Sequence, residues 1–236
     1  MKKLLIILAF LPIGLFGQSN WAAVNLGTTE MSRIYYGETL VWEKPSGGDS
    51  ILICGEYYPY DSIGSQVWLT KNLHCNDSEG GIYSYDDNTA NSDIYGYMYT
   101  YDAAMRIDTS IEGWHVPSLE EFTTLETYLG GSTVAGGKLK EEGTTHWLTP
   151  NTGATNESGF TALPGGLFYY GEFYANINGA SYFISSTPGI PESESFYATP
   201  YHLIIYYDES ATYIGSFTDL SVDELDFRFS LRLIKD

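Results

Sequence analysis

Between Gly113 and Gly166 the chain carries GWHVPSLEEFTTLETYLGG, AGGKLKEEGTTHW and NESGFTALPGG in that order, and residues 229–236 read FSLRLIKD. This ordered series constrains the fold more than any bulk property of the chain. Its first member specifies one helix. Ser118 followed three residues later by Glu121 forms a capping box, in which each side chain satisfies a backbone N–H at the helix start. Leu119, Phe122, Leu125, Tyr128 and Leu129 then recur near helical period on one face. Gly130-Gly131 stops the helix, because glycine takes the left-handed conformation at little cost. The spacing predicts a helix over 119–129.

Around that helix the chain reads as a mixture of short elements. Residues 65–69 form a short strand and 86–93, rich in Asp and Asn, an exposed loop. Residues 97–105 read as a second short helix, since Ala103, Ala104 and Met105 are good helix formers. Beyond Gly143 only β-prone runs follow, at 160–163, 167–170, 182–185, 201–207, 212–217 and 227–234. Two short helices ahead of antiparallel strands make an α+β domain over 51–236. Upstream, residues 33–42 are β-rich and split by Gly37-Glu38, which fits a two-residue hairpin turn. Residues 43–50 read as a linker, so 18–50 form a small β-hairpin segment expected to pack on the main domain.

Lys2 and Lys3 precede an apolar run over 4–16 that ends in Gly-Gln-Ser. This is the pattern of a secretory signal peptide, with cleavage expected after Gly17. The run is shorter than the roughly 20 residues a membrane span requires, and no cysteine follows it to carry a lipid. Cleavage removes two of eleven basic residues and none of thirty acidic ones, leaving the mature chain near −21. Such acidity excludes a nucleic-acid partner and disfavours anionic lipid surfaces. The expected location is extracellular or on the cell surface, without membrane insertion. Cys54 and Cys75 are the only cysteines. Export permits them to pair, but their spacing leaves the disulfide open.

Further motifs join the series. Ile63-Gly-Ser-Gln-Val-Trp-Leu-Thr-Lys-Asn-Leu73 is followed by Tyr95-Gly-Tyr-Met-Tyr-Thr-Tyr-Asp-Ala-Ala-Met105, Gly113-Trp-His-Val-Pro-Ser118, Ala162-Leu-Pro-Gly-Gly166 and Ser185-Ser-Thr187. In order and spacing they resemble the Fibrobacter succinogenes major paralogous domain, a family of secreted bacterial proteins related to the C-type lectin-like fold. The likeness runs from about Tyr57 to Asp236. It implies a C-type lectin-like domain whose late strands and loops make the ligand face. The chain departs from the family pattern in places. Phe183-Ile184 stands where an aromatic pair is usual, Pro188 where an acidic residue is, and Arg228 where a glycine precedes Phe-Ser-x-Arg. Ile111 and Leu233 occupy positions where some members carry cysteines, so a hydrophobic contact is expected there instead of a disulfide.

Catalytic readings find little support in the sequence. His74, His115, His146 and His202 are scattered, without the spacing of a helical metal site. His115 is expected to satisfy a turn. No nucleophile elbow occurs. The formylglycine-generating relatives of the fold depend on paired reactive cysteines, and neither Cys54 nor Cys75 lies in the matching region. Adjacent carboxylates such as Glu120-Glu121, Glu141-Glu142 and Asp86-Asp87 do not establish a facing pair. Asp86, Asp87, Asn88, Asn91 and Asp93 concentrate hard oxygen donors of the kind calcium takes, and Asp219, Asp223, Glu224 and Asp226 form a second cluster. Without an EF-hand order or the sugar-binding motifs of calcium-dependent lectins, a solvated surface is the favoured reading of both. No catalytic residue, metal site or cofactor is expected.

The segment 197–227 is rich in Tyr, Ser, Thr and Asp. Tyrosine gives a rigid amphipathic contact surface, so Tyr201, Tyr206, Tyr207 and Tyr213 are the expected ligand-binding residues. The chain therefore reads first as a non-catalytic binding module for a protein or glycan. A structural component of an extracellular or envelope assembly is the alternative, and a polysaccharide-active enzyme the third.

Overall fold

The structure, a computed structural model, describes residues 33–36, 39–43, 49–169, 173–191, 197–218 and 226–236. The expected signal peptide, the Gly37-Glu38 turn and the acidic residues Asp219, Asp223 and Glu224 lie outside these. The chain divides into two units, 1–44 and 45–236. In the first, β1 (Arg33–Tyr36) and β2 (Thr39–Glu43) pair antiparallel, with Tyr36 opposite Thr39 and a bulge between Ile34 and Tyr35.

The second unit is α+β. Its N-terminal strands are β3 (Asp49–Ile53), β4 (Glu56–Ile63) and β5 (Gln66–Leu69), followed by β6 (Ile82–Tyr83). Then come α1 (Thr89–Tyr95), β7 (Met98–Tyr99), α2 (Tyr101–Asp108), β8 (Trp114–His115), α3 (Leu119–Tyr128) and α4 (Ser132–Leu139). The rest is β: β9 (Leu167–Tyr169), β10 (Phe173–Ala175), β11 (Ala180–Ile184), β12 (His202–Tyr206), β13 (Thr212–Gly215), β14 (Phe229–Ser230) and β15 (Ile234–Lys235). One sheet runs β3-β4-β5-β15-β8 and the other β13-β12-β11-β14-β7-β6, while β9 and β10 form a separate hairpin. No helix among the described residues is long and apolar enough to cross a membrane.

Several expectations are corrected here. The described residues hold four α-helices instead of two. The run 86–93 is not simply a loop: after a short turn at 85–87, Asn88 caps α1 by accepting from the Ala90 N–H at 3.1 Å. The helix expected over 97–105 begins only at Tyr101, where Thr100 caps it, because Met98 and Tyr99 pair with β6 and β14. The strands are not all antiparallel, since β11 and β14 run parallel. Residues 160–163 make one parallel bridge, between Ala162 and Lys140, instead of a strand. Ser50, expected in a linker, already belongs to β3. The α3 expectation holds, with both hydrogen bonds of the Ser118–Glu121 capping box present.

Two apolar clusters fill the domain. One gathers Tyr58, Tyr99, Trp114, Phe229, Leu231 and Leu233. Ile111 packs against this same cluster, so Leu233 and Ile111 do share an apolar environment. The other lies under α3 and α4, where Trp68 stacks on Phe122 at 5.6 Å and meets Phe160 edge-on at 5.7 Å. Arg232 lies wholly buried beside them, its guanidinium 4.3 Å from the Phe160 ring centroid. Among the described residues no carboxylate pairs with it. It donates to Asn72 Oδ1 at 3.0 and 2.7 Å, to the Leu69 carbonyl at 3.0 Å, to the Thr161 carbonyl at 3.1 Å and to the Phe160 carbonyl. Asn72 in turn donates to the Tyr95 carbonyl at 2.8 Å. The Lys-Asn-Leu, Tyr-Gly, Gly-Phe-Thr and Phe-Ser-x-Arg motifs thus converge on one cation.

Candidate recognition face

Strand alternation divides the side chains of β12 between the two apolar clusters. Leu203 and Ile205 enter the cluster under α3, together with Phe183 of β11. His202, Ile204 and Tyr206 take the opposite face, as side chains two apart must. There the Tyr206 ring lies 6.3 Å from Tyr182 and 5.9 Å from Tyr213, both edge-on. Such tilted contacts suit the ring quadrupoles. His202 continues the row, 6.0 Å from Tyr182, 4.9 Å from Phe217 and 4.8 Å from Phe229. Phe217 then stacks on Phe227 at 5.2 Å.

The polar tips of this row are held in place. Tyr182 accepts from Asn176 Nδ2 at 3.1 Å. Burial, then its hydrogen bond with Tyr206, raises the Tyr182 hydroxyl well above the ordinary tyrosine range. Burial pushes His202 down to about 4, against the pull of the Pro200 carbonyl. His202 is therefore neutral at pH 7, and its Nδ1–H donates to that carbonyl at 3.1 Å. Its ring is part of the aromatic row. Tyr213 stands at the open end, 46% exposed, with its hydroxyl donating to the Glu209 carboxylate.

The four expected tyrosines do not share one surface. Tyr206 and Tyr213 meet. Tyr207, one residue on, packs toward the opposite cluster near Gly179, where exposed Leu148 also lies. Tyr201 precedes β12, where its backbone links Thr187 and Ser185 at 3.0 and 2.9 Å. Tyr182, His202 and Phe217, which the sequence reading did not select, complete the row. The alternation His202-x-Ile204-x-Tyr206 was the signal that would have separated Tyr206 from Tyr207.

Elsewhere the described polar side chains bond with one another and with the backbone. His115 sits between two carboxylates, Nδ1 2.7 Å from Asp236 Oδ1 and Nε2 2.8 Å from Glu121 Oε1. Glu121 is already committed, accepting from Ser118 N at 2.7 Å and Ser118 Oγ at 2.8 Å, so the serine side chain caps α3. Burial alone would lower the His115 pKa, but the bonds to Asp236 and Glu121 outweigh it and hold the pKa above 6.5. A raised histidine pKa contributes stability that is full below 6.5 and is lost as pH rises through the folded value. The advantage of wild type over His115→Gln is thus expected to shrink between about pH 5.5 and about pH 9. The half-open setting limits this to about 1 kcal/mol. Denaturant midpoints of both proteins at the two pH values check it; an advantage that grows with pH contradicts the assignment.

Arg228, at the position where the sequence pattern favoured glycine, is held between rings, 3.5 Å from the Tyr83 centroid and 3.8 Å from that of Phe168. It also pairs with Asp226 at 2.6 Å. In the acidic segment, Asp87 Oδ1 accepts from the Tyr174 hydroxyl at 3.1 Å, and Asn91 Nδ2 donates to the Tyr85 carbonyl at 3.0 Å. Among the described residues no three His, Cys, Asp or Glu side chains gather as a metal site. Cys54 and Cys75 form a disulfide, with Cα atoms 5.6 Å apart.

These features define a disulfide-linked α+β domain of two sheets with a partly open aromatic sheet face. The chain belongs to the Fibrobacter succinogenes major domain family, whose sequence model matches residues 62–235. No curated protein and no solved structure matches it.

Proposed function

We propose that this protein is an exported, non-catalytic binding module of C-type lectin-like architecture, which recognises a protein or glycan through the Tyr206–Tyr213 end of its six-stranded sheet. The observation that carries this reading is the Tyr182–Tyr206–Tyr213 row, backed by a packed core and open only at its Tyr213 end. Rigid tyrosines lose little conformational freedom on binding and offer both a ring face and a hydroxyl. Asp208 and Glu209 flank the open end, which favours a neutral or basic ligand surface over an anionic one. Export is supported by the disulfide, which persists in oxidising compartments. The lectin-like architecture is supported by the late strand β15, which lies between β5 and β8 of the sheet that opens the domain.

The test is a screen of residues 18–236 on glycan and surface-protein arrays, with calcium and with chelator. Binding is expected, and Tyr206→Ala and Tyr213→Ala should each weaken it by about tenfold or more, as central aromatic contacts do. Tyr207→Ala should leave it close to wild type. A hit insensitive to both Tyr206 and Tyr213 removes this face from the function. No binding under either condition, with self-association in solution, favours an assembly component instead.

A further inference from the structure

Lys140 is wholly buried at the end of α4, yet among the described residues no carboxylate oxygen is bonded to its ammonium. Its Nζ donates to three main-chain carbonyls: Thr152 at 2.9 Å, Tyr206 at 3.0 Å and Glu209 at 2.7 Å. The Trp147 ring closes the site, its centroid 5.5 Å away. Three convergent carbonyls around a positive charge are the arrangement by which loops hold a hard cation. Here the cation is part of the chain. An ammonium has three donors, matching the three acceptors one for one.

The surroundings show what this charge organises. Tyr206 ends β12, and Glu209 lies in the turn leading to β13, where its carboxylate accepts from Tyr213. The same turn is tied to α4 by Gly137 N–H donating to the Ser210 carbonyl at 2.9 Å and by Ser210 Oγ donating to the Thr133 carbonyl at 3.1 Å. Thr152 N–H donates to the Tyr207 carbonyl at 2.7 Å. A Cβ on Gly136 would collide with the Ala211 carbonyl, and one on Gly137 with the Gly153 carbonyl. Gly136 therefore lets α4 lie directly against the turn, Gly137 lets it lie against the backbone at Gly153, and Lys140, which caps the helix, reaches through to the carbonyls.

We propose that Lys140 is a positioning residue for the recognition face: its ammonium fixes the β12–β13 turn, and with it the Tyr206–Tyr213 pair, in the way a bound cation fixes a carbonyl-lined loop, so the face is assembled without calcium. The inference rests on the recognition reading above only for its functional meaning. Burial pushes the lysine pKa down to about 8 against the favourable charges of Asp208 and Glu209, which still leaves the group largely protonated at pH 7. Lys138, two residues earlier, makes an ordinary surface pair with Glu157 at 2.8 Å and shares none of these contacts.

The test needs no ligand. With lysine side chains labelled with nitrogen-15, Lys140 in residues 18–236 is expected to give a slowly exchanging ammonium resonance with nuclear Overhauser contacts to Tyr206 and Glu209. An ammonium exchanging as fast as that of Lys138 overturns the proposal, even if no variant folds. Lys140→Met keeps the apolar stem and removes the charge. It is expected to lose the Tyr206–Tyr213 ring contact and to melt lower; an intact ring contact overturns the proposal. In Lys140→Ala, n-propylammonium should restore the contact and n-propanol should not, whereas equal rescue by both reduces the role to packing and overturns it. Calcium or chelator should leave the wild-type melting temperature unchanged, and a calcium-driven rise overturns the calcium-free assembly. Should the ring contact be lost while array binding persists, the recognition reading fails and the role of Lys140 stands.

Discussion

Arg232→Met is expected to lower the stability of the domain by about 3–5 kcal/mol. The substitution keeps an apolar stem of similar length but strips the donors from Asn72 Oδ1 and from the Leu69, Phe160 and Thr161 carbonyls. Buried acceptors left without partners cost about 1–3 kcal/mol each. Even with partial relaxation, a loss of about 3–5 kcal/mol removes much of the 5–15 kcal/mol typical of a domain. Burial pushes the guanidinium down to about 9, so it stays cationic at neutral pH and its hydrogen bonds are charge-assisted. Arg232→Lys should recover little of the loss, because one ammonium has three donors and cannot reproduce a planar fork that bonds in two directions. Urea midpoints followed by near-UV circular dichroism measure both variants. A lysine variant within about 0.5 kcal/mol of wild type would show that charge alone suffices, and not fork geometry.

Loss of the Cys54–Cys75 disulfide is the second large effect. Cys54 and Gly55 form the turn between β3 and β4, both with positive φ, and the bond ties that turn to the segment after β5. Cys75 is held in its own right, with Tyr99 Oη accepting from its N–H at 3.1 Å and donating to its carbonyl at 2.8 Å. Closing a loop of 21 residues restricts the unfolded chain by about 3 kcal/mol. Cys54→Ser/Cys75→Ser is expected to lose about that much, seen as a lower denaturant midpoint with the same secondary structure. Adding a reductant to the wild type should reproduce the loss, and the double variant should be indifferent to it. A wild type that does not respond to reductant would mean the bond carries no stability.

How legible this was depends on where the determining contacts lie. Helix α3 could be read because its signals are local: Ser118 and Glu121 satisfy each other across one turn, and Gly130 follows. Helix α4 could not, because Gly136 and Gly137 each oppose a helix by about 1 kcal/mol. Their reason is across the fold, in the backbone at Ala211 and Gly153. Helix α1 was hidden by Asn and Asp residues that read as loop, although Asn88 is its cap. At the candidate face, composition drew attention to four tyrosines, but only strand phase separates Tyr206 from Tyr207. The partners Tyr182 and Phe217 are brought in by pairing with β11 and by the return of the chain after β13. Asn72 and Arg232 stood out as motif residues, while their shared hydrogen bonds, 160 residues apart in sequence, appear only in three dimensions.

The placement of β14 and β15 carries a consequence for the order of events in a cell. β15 sits between β5 and β8, and β14 between β11 and β7, so the last two strands of this sequence lie inside the sheets and not at their rims. Until residues 229–235 arrive, each sheet has a gap at an inner position and the carbonyls around Arg232 have no cation. The N-terminal part of the domain therefore cannot complete either sheet by itself. Closure of both sheets is thereby tied to the arrival of the last strands, and the domain folds as one unit.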